Sequence, residues 1–123
     1  MPSEFALQGK RILLIEDSPV VGPYTAEILA ELGCEVLGPA PNMAAARSHA
    51  QDDELDAAIV DVWIRGERAF GICEILAQRG IPFLLTSGYA DRQVPEKWRD
   101  RPQLAKPYKY DEVGAALARL LGQ

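Results

Sequence analysis

Long apolar runs are missing from this chain. No stretch approaches the roughly 20 residues that a membrane-spanning helix requires, and the opening MPSEFALQGK holds no apolar segment of signal length. A cytosolic protein is expected. Cysteine is scarce too: Cys34 and Cys73 stand alone, with no CxxC and no Cys/His cluster, among apolar neighbours. That argues against a disulfide scaffold or a thiolate metal site and predicts two buried, reduced thiols. Positive charge is in deficit. A net charge of −5 and a pI near 4.8 produce a field that repels nucleic acid. No glycine-rich loop follows the first apolar run, which counts against a nucleotide- or flavin-binding protein. Internal repeats, linkers and low-complexity tracts are absent as well.

What remains is 123 residues, enough for one domain, at 48% hydrophobic and 25% charged, the balance of a folded globular chain. Five apolar runs alternate with helical patterns. RILLIE (Arg11 to Glu16), CEVLG (Cys34 to Gly38), DAAIVDV (Asp56 to Val62), IPFLLTS (Ile81 to Ser87) and the short Leu104-Ala105-Lys106 read as strands buried in a parallel sheet. A first helix follows Asp17-Ser18-Pro19 and runs to about Leu32, with Tyr24, Ile28 and Leu32 on one face and Gly33 as its stop. Asn42 caps an Ala-rich second helix to about Gln51, with His49 on its surface. Trp63 to Arg68 reads as a loop without tight-turn chemistry, and Ala69 to Arg79 as a third helix closed by Gly80. Gly88 to Gln103 is polar and holds Pro95 and Pro102, with Val94 and Trp98 as its apolar anchors. Val113, Ala116, Leu117, Leu120 and Leu121 mark a terminal amphipathic helix. The packed region is expected to span about residues 10–121.

Strand and helix alternating five times implies a doubly wound α/β fold, whose chemistry lies beyond the carboxyl ends of the strands. Those ends carry Glu16-Asp17, Asp61, Thr86-Ser87 and Lys106-Pro107. Each has an ordinary reading alone: Glu16-Asp17 as a helix cap, Asp61 as a surface turn residue, Thr86-Ser87 as strand-end hydroxyls, Lys106-Pro107 as a loop start. Together they converge. Two carboxylates about 4 Å apart repel by roughly 4 kcal/mol at an effective dielectric near 20. Three crowded together raise their pKa values or recruit a cation, and oxygen ligands suit Mg2+. One carboxylate can then attack phosphorus while the hydroxyl and the ammonium take the remaining oxygens.

In its order and spacing this set resembles the receiver domain of two-component response regulators, across essentially the whole chain. The resemblance implies a flavodoxin-like, doubly wound five-stranded parallel sheet with strand order 2-1-3-4-5. It further implies that a sensor histidine kinase donates a phosphoryl group to Asp61, with Mg2+ held by Glu16, Asp17, Asp61 and the main-chain carbonyl of Trp63. Ser87, followed by the small Gly88, matches the switch hydroxyl; Lys106 matches the phosphate-contacting lysine and is expected to precede a cis proline. Pro82 to Tyr89 resembles the "FAT GUY" subclass of single-domain receivers, which have a short or disordered fourth helix and are linked to kinases of the HWE type. With no output domain, the effect would come through partner binding or by draining phosphoryl groups, from a monomer or weak homodimer.

Two departures from the family pattern stand out. The aromatic usually found shortly before the strand-five lysine is missing from Gln103-Leu104-Ala105, and Trp63 and Tyr89 sit two residues beyond the acceptor and the hydroxyl, where they would shield the phosphoryl group from water. Two rival readings remain: a pseudo-receiver that binds partners without phosphorylation, disfavoured by the intact residue set, and an aspartate-nucleophile phosphohydrolase. Such an enzyme needs an acid/base Asp two residues past the nucleophile, where this chain has Trp63.

Overall fold

The central apolar runs pair as parallel strands because their neighbours bury both of their faces, while the two edge strands stay partly exposed. In a computed structural model, which describes residues 5–88 and 94–122, β1 (Arg11–Ile15) is followed by α1 (Val21–Glu31), β2 (Glu35–Ala40), α2 (Met43–Asp52) and β3 (Ala57–Asp61). A two-stranded hairpin, β4 (Trp63–Ile64) and β5 (Glu67–Arg68), precedes α3 (Phe70–Gln78), β6 (Phe83–Ser87), a 3-10 turn (Glu96–Trp98), β7 (Gln103–Ala105) and α4 (Tyr110–Leu120). The main sheet has the order β2-β1-β3-β6-β7, and its strand pairings are parallel. This is the doubly wound order expected. Among the described residues, the 3-10 turn is the only helical element between β6 and β7.

Strand alternation divides the core in two. Ile12, Leu14, Ile59 and Leu84 face α1 and α4, meeting Ile28, Leu29, Leu32, Val113 and Leu117. Leu13, Ile15, Val60 and Leu85 face α2 and α3, meeting Ala46, Ala50, Ile72, Cys73 and Leu76. Each such aliphatic side chain contributes about 1.5–3 kcal/mol by leaving water. Leu7 is fully buried and joins the first cluster, upstream of the residue-10 boundary expected. Phe5 packs against Gly114 of α4, where an added Cβ would lie 2.6 Å from the ring.

Several boundaries shift for local reasons. α1 ends in a Schellman motif: Gly33 takes φ +87°, its N–H donates to Ala30 O and that of Cys34 donates to Leu29 O. Gly80 closes α3 in the same way. Asn42 caps α2 by accepting from Ala45 N at 2.9 Å. β2 runs on to Ala40, because pairing with β1 resumes at Ile15 after an irregularity that contains the cis Gly38–Pro39 peptide. Trp63 to Arg68 is not a loop. Its two-residue turn places Arg65 at φ +52° and Gly66 at φ +79°, the geometry of a type I′ hairpin. Tight-turn chemistry is present there after all, one step downstream of Asp61.

The β6–β7 connection is anchored as its apolar residues suggested. Val94 and Trp98 are buried, the Trp98 ring meets Phe83 edge-on at 5.5 Å, and the Arg101 guanidinium lies 4.6 Å from the Phe83 ring centre. Both cysteines are free and buried, and burial pushes their thiols up to about 11 for Cys34 and about 12 for Cys73. They are inert. His49 lies on the surface of α2 beside Asp53. No described helix is long and apolar enough to cross a membrane.

Candidate acidic site at the strand ends

Glu16 leaves β1 with its N–H bonded to Ala40 O, so the extended β2 fixes the direction of the chain there. Its Oε2 accepts from Ser18 N at 3.1 Å. Just ahead of α1, Ser18 Oγ accepts from Val20 N and Val21 N, so Asp17 is not consumed at the helix start. Asp17 Oδ2 instead accepts from Arg65 N at 2.9 Å, which ties the acidic pair to the β4–β5 hairpin.

Asp61 closes β3 opposite Thr86 of β6. Its Oδ1 accepts from Trp63 N at 3.2 Å and its Oδ2 from Lys106 Nζ at 2.8 Å. Lys106 Nζ also lies 2.7 Å from Glu16 Oε1. Glu16 and Asp61 are nearly fully buried, at 2% and 4% exposure, while Asp17 is half-buried. One oxygen from each of the three carboxylates falls within 4.8 Å of the others. The Lys106–Pro107 peptide is cis.

Burial is the main force on Asp61. It pushes the carboxyl up to about 7, aided by the charge of Glu16 and opposed by the Lys106 hydrogen bond. Burial alone would lower Lys106, but its contacts with Asp61 and Glu16 outweigh that and raise it. The ammonium therefore acts as the local countercharge for two buried acids. Glu16 Oε1 is buried and has the Lys106 ammonium as its close contact, with no hydrogen bond of good geometry. A hard cation with oxygen ligands fits that donor set.

All of Glu16, Asp17, Asp61 and Lys106 thus meet at one place. Ser87 is half-buried and its carbonyl accepts from Lys106 N, whereas Thr86 is buried at 1% exposure. Trp63 is 38% exposed with the Arg68 guanidinium 4.5 Å from its ring centre. Tyr89 lies outside the described residues. Sequence reasoning missed the main chain of Arg65, which braces Asp17 from 48 residues away. The Arg-Gly pair at a two-residue turn was the available signal.

SdrG from Sphingomonas melonis Fr1, a solved structure, is similar with a TM-score of 0.84 and 38% identity, over 92% of this chain and 97% of that one. The receiver domain of the sensor histidine kinase PA1611 from Pseudomonas aeruginosa PAO1 was solved with a magnesium ion coordinated in its active-site cleft. It matches with a TM-score of 0.77 and 25% identity, over 94% of this chain and 99% of that one. The chain belongs to the receiver domains of two-component response regulators. The transcriptional regulatory protein PdtaR of Mycobacterium tuberculosis is 28% identical over 112 residues, which cover 88% of this receiver. The receiver spans about half the length of that curated relative, 55% of it. No protein-family model matches the chain.

Proposed function

We propose that this receiver is a phosphoacceptor signalling module in which Asp61 takes a phosphoryl group from a sensor histidine kinase. One observation carries the reading: three carboxylates within 4.8 Å of one another, two of them buried and both in contact with Lys106. An oxygen of Asp61 forms the new bond to phosphorus while the bond from phosphorus to the donor imidazole nitrogen breaks. The imidazole keeps the electron pair and takes up a proton. Glu16, Asp17, Asp61 and the Trp63 carbonyl would hold Mg2+, which when bound offsets negative charge on the phosphoryl oxygens. Lys106, already beside the attacking carboxylate, turns its ammonium to a phosphoryl oxygen, and the Ser87 hydroxyl donates to another.

The kinase is assigned to the HWE type on the Pro82 to Tyr89 resemblance. The output is altered partner binding or service as a phosphate sink, in a monomer or weak homodimer. Trp63 beside the acceptor restricts the attacking water, so Trp63→Ala should shorten the lifetime of phospho-Asp61; an unchanged decay rate removes that role. The module itself is tested by incubating the protein with Mg2+ and acetyl phosphate. Expected is an acid-labile, hydroxylamine-sensitive mass increase of one phosphoryl group. Its absence, or its persistence in Asp61→Asn, overturns the proposal.

A further inference from the structure

Two residues beyond Lys106, a buried polar seam joins the β7–α4 turn to α1. The Tyr108 ring is 3% exposed and Thr25 is fully buried. Thr25 Oγ1 donates its one hydrogen to Val21 O at 2.8 Å, so in its 2.6 Å contact with the Tyr108 hydroxyl, Tyr108 must be the donor. On the other side of the same residue, the Tyr24 hydroxyl donates to the Tyr108 carbonyl at 2.9 Å. Adjacent residues of α1 therefore grip both the side chain and the main chain of Tyr108.

That grip lies next to the chemistry. Pro107 alone separates Tyr108 from Lys106, whose own N–H is fixed by Ser87 O of β6. The turn carrying the ammonium is thus held by β6 before Lys106 and by α1 after it. α1 also runs past the acid cluster, close enough that a Cβ added at Gly22 would lie 3.7 Å from Glu16 Cγ. One helix thus passes beside Glu16 and bonds the residue two beyond Lys106. Both contacts bridge more than 80 residues of sequence, 83 for Thr25 and 84 for Tyr24.

We propose that Tyr108, locked by Thr25 and Tyr24, is a positioning residue that sets the reach of Lys106 into the acceptor site. This rests on the phosphoacceptor reading for its catalytic consequence, though not for the positioning itself. Lys106 itself supplies no metal ligand, so the seam governs the rate, and loosening its ammonium from Glu16 and Asp61 leaves those carboxylates no weaker toward a cation.

The test uses Tyr108→Phe, Thr25→Val and the conservative Thr25→Ser on the full chain. With acetyl phosphate as donor, Tyr108→Phe and Thr25→Val should lower the maximal phosphorylation rate about tenfold, and Thr25→Ser should restore it. The Mg2+ dissociation constant, measured by calorimetry, should not rise above that of the unaltered protein. A second readout does not need phosphorylation. In protein labelled at lysine Cε, the two ε-protons of a fixed Lys106 have distinct shifts, and these should converge in Tyr108→Phe and Thr25→Val. Unchanged Lys106 signals overturn the proposal whatever the rates, and so does a parallel loss of rate and Mg2+ affinity. If the unaltered protein takes up no phosphoryl group, the phosphoacceptor reading fails while the Lys106 signals still decide the positioning role.

Discussion

Both ends of the central sheet set a basic residue against two carboxylates, one by a single ion pair and a main-chain bond and the other by two ion pairs, and they behave oppositely. At the amino end, the Arg11 guanidinium of β1 contacts Glu35 at 2.9 Å, while the Arg11 main-chain N–H binds Asp56 at 2.7 Å. The Arg11 and Glu35 side chains are 37% and 59% exposed. At the carboxyl end, Lys106 contacts Glu16 and Asp61, whose side chains are 1% and 6% exposed. Water screens the first trio, so it is a surface fastener. The second has lost that screening, and the result is an acid held near neutrality and a cation with its charge committed. Composition does not separate a fastener from a reactive centre. Depth does.

The comparison can be broken most severely at Asp61. Asp61→Asn should abolish phosphoryl uptake, read by intact mass after acetyl phosphate treatment, and uptake at another residue would remove the buried trio from the chemistry. Lys106→Ala comes next: the phosphorylation rate should fall about 100-fold, the scale of losing one preorganised donor. It also leaves two buried carboxylates without their countercharge, so denaturant titration in EDTA near pH 8 should show a loss of about 1–3 kcal/mol, recovered in part by Mg2+.

A pH series sharpens the contrast further. Asp61 rises from 3.8 to about 7 on folding, so between those values the folded state holds a proton that the unfolded chain has released. Its contribution to metal-free stability is complete below about pH 4 and is lost as pH rises through about 7. Melting temperatures in EDTA should fall over that window, with a shallower fall in Asp61→Asn. The smallest effect belongs to the other end. Arg11→Ala should cost about 1 kcal/mol or less and leave phosphoryl uptake unchanged. A large loss of uptake there would mean the two ends are coupled through β1.

The strands and the acidic set were legible because both follow from local pattern: short apolar runs, four of the five ending on residues with chemistry. Glu16, Asp17, Asp61 and Lys106 could be gathered from the topology alone, as strand carboxyl ends share one edge. Other features were hidden for a physical reason. The β4–β5 hairpin escaped because its turn puts Arg65, not Asn or Gly, at a positive φ. The extension of β2 to Ala40 passes through a pairing irregularity that no alternation signals. The hold of α1 on Tyr108 depends on side chains meeting from distant positions, which periodicity does not encode. That Ser18 rather than Asp17 serves the amides at the start of α1 is a choice between neighbouring side chains that Asp17-Ser18-Pro19 leaves open.

The hairpin brace has an implication for how such a module diversifies. Asp17 is held by the amide of residue 65, and the Arg65 side chain points its Nε to Pro41 O instead. Any residue with an N–H that tolerates this backbone preserves the brace; proline alone among the twenty lacks the proton. Position 65 is therefore a free letter beside a fixed grammar. Asn or Gly could replace Arg there and change what the rim displays, while the acid it steadies keeps its place.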